Sequence, residues 1–118
     1  MSTTTTPTID VHVGDVGTQF KGELTDRGVA FNPAGYDTLT LVFKTPTGIV
    51  IAREATVTTE GAGASQKWFA NYETVAADIE AGLHAVRGTY YWQGEVTFPS
   101  GAKYSTDIQT YLVDSNLR

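Results

Sequence analysis

The sequence contains no cysteine, and its single methionine is Met1. This excludes a disulfide framework, a thiolate metal site and a thiol nucleophile together, while leaving the redox compartment open. Basic residues are scarce: 8 Lys and Arg against 13 Asp and Glu give a net charge of −5. They are also scattered, with no two adjacent, so there is no basic stripe to displace counterions from nucleic acid or to grip a membrane surface. No apolar run approaches the roughly 18 residues that a spanning helix needs. The leading Met1-Ser2-Thr3-Thr4-Thr5-Thr6-Pro7 has neither the basic start nor the apolar centre of a signal peptide. A soluble protein outside the ordinary secretory route is expected. At 118 residues the chain fits one domain and is too short for a barrel of eight βα units.

What is abundant points to sheet. Nineteen threonines, with many valines and aromatics, favour the pleated conformation. Asp26-Arg27-Gly28, Pro46-Thr47-Gly48 and Pro99-Ser100-Gly101 each set a turn former before a glycine, between alternating apolar runs. This is hairpin chemistry, because proline presets φ and glycine accepts the positive φ of a reversal. Strands are expected at residues 9–13, 18–24, 38–44, 49–58, 67–72 and 89–98, with a last one after residue 103. In residues 38–44, Leu39, Leu41 and Phe43 share a face; in 89–98, Tyr90, Trp92, Val96 and Phe98 oppose Tyr91, Gln93, Glu95 and Thr97. In the last strand Tyr104, Ile108 and Leu112 alternate with Ser105, Asp107 and Gln109. A period of two marks sheets with one buried and one wet face. Gly94, on the apolar side of its strand, marks either a bulge or a close backbone approach.

About seven such strands predict an all-β fold, an antiparallel sandwich of two packed sheets. One segment departs from this period. Residues 74–82 space Val75, Ile79 and Leu83 as a helix would, with Thr74 as N-cap and Gly82 as stop. A short helical turn near 75–82 is expected, and a flexible loop at 60–65. Residues 1–7 form a polar arm, too poor in apolar groups to fold alone, and residues 8–118 form the single domain.

Catalytic patterns are missing. His12 and His84 share no metal-ligand spacing with each other or with a carboxylate, and both read as ordinary surface or edge residues. Ser65, Ser100 and Ser105 lack the strained G-x-S-x-G turn of a serine nucleophile. Gly61-Ala62-Gly63 has no following Lys-Thr pair and no βα unit. No two carboxylates are singled out as an acid pair, and Asp10 with Asp15, or Asp107 with Asp114, lacks the density of a calcium loop. No enzyme activity, cofactor or metal is expected. The aromatics are more suggestive: Trp68, Phe69, Tyr72, Tyr90, Tyr91 and Trp92 cluster in two strands. Either all six fill and flank the core, or Trp68, Tyr72 and Tyr91 form an outward platform that stacks sugars or anchors a protein.

The order of signals resembles a known family. Gly14-Asp15-Val16-Gly17-Thr18-Gln19-Phe20 opens a strand and is followed by Leu24-Thr25-Asp26-Arg27-Gly28-Val29. Then come Leu41-Val42-Phe43-Lys44-Thr45-Pro46-Thr47-Gly48, the acidic Asp78, Gly88-Thr89-Tyr90, and Gln93-Gly94-Glu95-Val96-Thr97-Phe98-Pro99-Ser100-Gly101. Over residues 13–113 this is similar to the immunoglobulin-like N-terminal domain of phage baseplate upper proteins and to related short phage structural proteins; residues 79–87 are longer than that pattern. The resemblance implies an immunoglobulin-like sandwich and a non-enzymatic virion protein, made in the host cytoplasm. It would be an adaptor of the tail or baseplate, present in symmetric copies and docked on other virion proteins. A capsid decoration protein on the major capsid lattice is the nearest alternative, and a carbohydrate- or receptor-binding module the alternative of another class. The expected partner-binding residues are Thr3, Thr4, Thr5, Thr6 and Pro7 of the arm, with Trp68, Tyr72 and Tyr91.

Overall fold

The computed structural model describes residues 11–115. Its elements in chain order are β1 (Val11–His12), β2 (Gln19–Glu23), β3 (Thr25–Asp26), β4 (Val29–Ala30), β5 (Thr38–Lys44), β6 (Val50–Glu54) and β7 (Thr56–Glu60). A 3-10 turn (Gly63–Ser65), β8 (Lys67–Glu73), α1 (Ala76–Ala81), β9 (Gly88–Thr97), β10 (Lys103–Ser105) and β11 (Gln109–Asp114) complete them. The fold is an all-β, immunoglobulin-like sandwich. Its large sheet has the order β1-β11-β9-β5-β6, with β10 also pairing β9; its small sheet is β2-β8-β7, and β3 and β4 form a separate hairpin. The strands of five residues or more are β2, β5, β6, β7, β8, β9 and β11; β2, β5, β8, β9 and β11 lie in separate expected strands, β6 and β7 share the expected 49–58, and the short β1 lies in the expected 9–13. Pairing is antiparallel with one exception: β1 lies parallel to β11, Val11 beside Val113. No hairpin joins those two strands, so turn chemistry does not dictate their direction.

All three turn signals close hairpins. Asp26 pairs with Val29 across a two-residue loop in which Arg27 and Gly28 have φ of 54° and 81°, the type I′ geometry that matches strand twist. At Pro46-Thr47-Gly48 and Pro99-Ser100-Gly101 the flanking bonds are Thr45 N–H to Ile49 O at 2.9 Å and Phe98 N–H to Ala102 O at 2.9 Å. The expected single strand at 49–58 is instead two. The chain leaves the large sheet after β6, buries Ala55 with its N–H on Leu39 O, and enters the small sheet as β7. This crossing lets the two sheets stack rather than continue as one.

The core lies between the sheets. Phe20 of β2 meets Phe43 of β5 at 5.0 Å and Trp92 of β9 at 5.6 Å, both edge to face. Leu24, Leu39, Leu41, Tyr90, Val96 and Val113 fill the rest. Tyr90 and Trp92 point inward and Tyr91 outward, as the period of two predicts. Gly94 is the close-approach case rather than a bulge, since β9 pairs with β5 in unbroken register through it. Its N–H donates to Thr106 Oγ1 at 2.7 Å, and an added Cβ would lie 3.3 Å from Thr106 Cγ2 and 3.6 Å from Leu41. Gly94→Val should therefore overpack the core and cost about 2 kcal/mol, measured by urea denaturation. Wild-type stability in that variant would refute the close approach.

The last expected strand is corrected in phase. It is two strands, β10 and β11, separated by Thr106, which turns inward and is buried. In β11 the inward residues are Tyr111 and Val113, leaving Ile108 and Leu112 on the outside. Tyr104, Ile108 and Leu112 are thus exposed rather than core. The helix is also corrected at its start: Thr74 does not cap it, but accepts the Thr18 N–H at 3.0 Å through Oγ1. Val75 is the N-cap residue, and its N–H is satisfied by Asp78 from inside α1, while Gly82 closes the helix in a left-handed conformation.

Candidate functional site

Two buried polar centres and one open surface contain the unusual side chains. Asp78, wholly buried on α1, accepts three hydrogen bonds: from Arg53 Nε of β6 at 2.6 Å, from the Tyr72 hydroxyl of β8 at 2.5 Å and from the Val75 N–H at 2.9 Å. Burial alone would raise its pKa, but the bonds from Tyr72, Val75 and Arg53 together hold it below the usual carboxylate range. The Tyr72 hydroxyl is pushed up to about 12 by burial and by its bond to Asp78. Arg53 is raised chiefly by the same carboxylate. One carboxylate thereby fastens a strand of each sheet to the helix. The three donors converge on one carboxylate, and the arrangement is a structural clasp.

The second centre is His84, expected at the surface and found fully buried. It stands just past α1 with φ of 59°, ringed by Phe20, Tyr90 and Tyr111 at 5.9, 5.3 and 5.4 Å. Its Nε2 bonds the Tyr111 hydroxyl at 2.5 Å, while Nδ1 is buried without a partner among the described residues. Burial lowers its pKa to about 4, against a weaker upward pull from Asp15 and Asp78, so the ring is neutral at physiological pH. Burial likewise raises the Tyr111 hydroxyl. His12 lies apart: its Nδ1 is 3.9 Å from Asp15 Oδ2. Among the described residues no three His, Cys, Asp or Glu side chains converge as a metal site, and no helix is long and apolar enough to cross a membrane.

The open surface is the outer face of the large sheet. Alternation along β5, β6, β9 and β11 sends Val42 and Lys44, Val50 and Ala52, Tyr91 and Gln93, and Thr110 and Leu112 to that side. Register makes Val50, Lys44, Tyr91 and Thr110 one row across the strands. Ala52, Val42 and Gln93 begin the next, which Ile108 completes at the edge. A shallow hollow of about 370 Å³ runs among Val42, Lys44, Val50, Tyr91, Gln93 and Ile108. Val50 is 63% exposed, Ile108 63%, Leu112 64% and Tyr91 41%. A second, more open hollow of about 440 Å³ lies at one end, among Phe31, Phe98 and Tyr104, whose rings pack on one another at 5.7–6.3 Å.

Of the expected partner-binding residues, Thr3, Thr4, Thr5, Thr6 and Pro7 lie outside the described residues. Tyr91 is on the open face. Trp68 and Tyr72 sit on β8 in the other sheet, half-buried against the core, with Tyr72 committed to Asp78. The three aromatics therefore form no common platform. Sequence reasoning missed Val50, Ile108 and Leu112, since apolar residues are assigned to the core by default. The signal that could have found them is that residues 108–113 are apolar in both phases.

No family model and no curated protein matches the chain. Among solved structures it is similar to CopC from Methylosinus trichosporium OB3b, with a TM-score of 0.53 and 14% identity, over 99% of this chain and 96% of that one. At that identity the likeness is one of fold. The expectation of a phage tail, baseplate or capsid component is corrected by it: a structure that matches nearly from end to end is a CopC, not a phage structural protein. Trp68 and Tyr72 share no surface with Tyr91 on which the carbohydrate- or receptor-binding alternative could build a platform of all three.

Proposed function

We propose that this chain is a non-enzymatic protein-interaction module that docks through the outer face of its large sheet. One observation carries the reading: a contiguous apolar strip, Val42, Val50, Tyr91, Ile108 and Leu112, left uncovered on a face that also holds the 370 Å³ hollow. Soluble monomers rarely expose contiguous apolar surface of this kind without using it, and a tyrosine at its centre has the form of an interface anchor. The groups with shifted pKa values, Asp78, His84 and Tyr111, favour a structural role because they are engaged inside the fold and do not line the hollow.

The test is site-specific photo-crosslinking in cells that express the chain naturally. Benzoylphenylalanine replacing Tyr91 should give protein adducts, while the same probe replacing the exposed Thr58 of β7 should give few. Equal labelling from both positions, or none from position 91, would overturn the reading.

A further inference from the structure

We infer that the partner of this face is a second copy of the chain, packed face to face about a two-fold axis parallel to the strands and lying between β5 and β9. This inference rests on the docking face proposed above and names its occupant. The argument is self-complementarity, the condition that a two-fold interface imposes on one surface. Such an axis exchanges β5 with β9 and β6 with β11, while each row stays opposite itself. In the first row, Lys44 of one copy then lies over Tyr91 of the other, and Val50 over Thr110. In the second row, Val42 lies over Gln93 and Ala52 over Ile108. In the third, Thr40 lies over Glu95 and Glu54 over Ser105. No charge meets a like charge in any row.

An axis across the strands fails the same comparison. It would exchange the first row with the third, setting Val50 over Glu54 and Tyr91 over Glu95, so that apolar groups bury carboxylates. The parallel axis also gives Lys44 a role. Among the described residues this lysine makes no ion pair, whereas the other outward lysine of the sheet, Lys103, pairs with Glu95 at 3.5 Å. Set over the partner's Tyr91, each Lys44 ammonium meets an aromatic face, a favourable cation–π arrangement, and the two-fold makes that contact twice. The polar end of the face, Thr38, Thr40, Thr97 and the Glu95–Lys103 pair, supplies the rim. Two such sheets stack about 10 Å apart with strands nearly aligned. With strands of about seven residues and four strands abreast in the overlap, the contact is small by the standards of specific interfaces. A dissociation constant in the micromolar range is expected.

Sedimentation equilibrium of the purified 118-residue chain, from about 5 to 500 μM, reads the dimer directly. Lys44→Glu and Tyr91→Glu should each weaken it at least tenfold, with the thermal midpoint of the domain unchanged because both side chains are exposed. Thr58→Glu on the other sheet should leave it intact. The exchange variant, Lys44→Tyr with Tyr91→Lys, should recover dimerisation, because the axis merely swaps the two positions. A monomer at 500 μM overturns this inference, as does a dimer indifferent to Lys44→Glu and Tyr91→Glu or a failure of the exchange variant. None of these results removes the docking face itself, which fails only if the position-91 crosslinker captures nothing or no more than the one at position 58.

Discussion

Asp78→Ala is expected to destabilise the domain by about 3–5 kcal/mol, because it strips a buried acceptor from the donors around it. The alanine would leave the Tyr72 hydroxyl, the Arg53 Nε and the Val75 N–H without the acceptor they share. A buried donor left unpaired costs about 1–3 kcal/mol. Arg53 is 32% exposed along its side chain and recovers part of its loss from water, which places the result toward the lower end. Asp78→Asn keeps the shape and one acceptor oxygen, and should cost about half as much. Urea denaturation at pH 7 measures both; a loss below 1 kcal/mol for the alanine variant would refute the clasp. The carboxylate also sets an acid limit. Its folded pKa is lowered, so the stabilisation is fully present above the unfolded value near 4 and is lost as pH falls through the lower folded value.

A second loss on acidification should come earlier and from a different group. His84 has its pKa lowered from 6.5 to about 4. Above 6.5 the ring is neutral in both states and stability is indifferent to its titration. Between 6.5 and 4 the unfolded chain takes up a proton that the folded core refuses, so stability falls as pH falls. The loss reaches about 3 kcal/mol near pH 4. Protonation would place a cation among Phe20, Tyr90 and Tyr111, with its Nδ1–H facing no acceptor among the described residues. His84→Asn supplies the control, since asparagine tolerates the left-handed backbone at φ of 59°. That variant should be less stable at neutral pH, having lost the ring contacts, yet flat between pH 6.5 and 4. Denaturation midpoints across that range should slope for the wild type and not for His84→Asn. Equal slopes would exclude His84 as the source.

The successes and failures of sequence reading divide along the reach of the interactions involved. The three hairpin turns depend on φ within two or three residues, and Arg27-Gly28, Pro46 and Pro99 announce them. The inward Tyr90 and Trp92 and the outward Tyr91 follow from alternation in a strand whose two faces differ plainly. His84 and Asp78 carried no local sign of burial. His84 is enclosed by Phe20 and Tyr111, and Asp78 by Arg53, from segments distant in the chain. The break at Ala55 was equally invisible, because residues 49–58 favour extended chain on both sides of it and only the need to cover a second sheet divides them. The proposed docking face is half legible in the sequence: alternation sets Tyr91 outward, but clustering in sequence suggests Trp68 and Tyr72 beside it, although they belong to the opposite layer.

The amino-acid order alone determined the all-β class, the position of most strands, the hairpins, the helical turn near residues 75–82 and the absence of thiol chemistry. Each is fixed by backbone preference and by periodicity within a few residues. Tertiary structure decided the direction of β1, the burial of His84 and Asp78, and the side of β11 that meets the core. A period of two states that one face of a strand is buried, but where Tyr111 and Val113 alternate with Thr110 and Leu112 it does not say which. Pairing with β9 settles that by turning Tyr111 and Val113 onto Phe20 and its neighbours. Leu112 is left outside, diagonal to Tyr91 across β9, and it joins the exposed apolar face because of that choice.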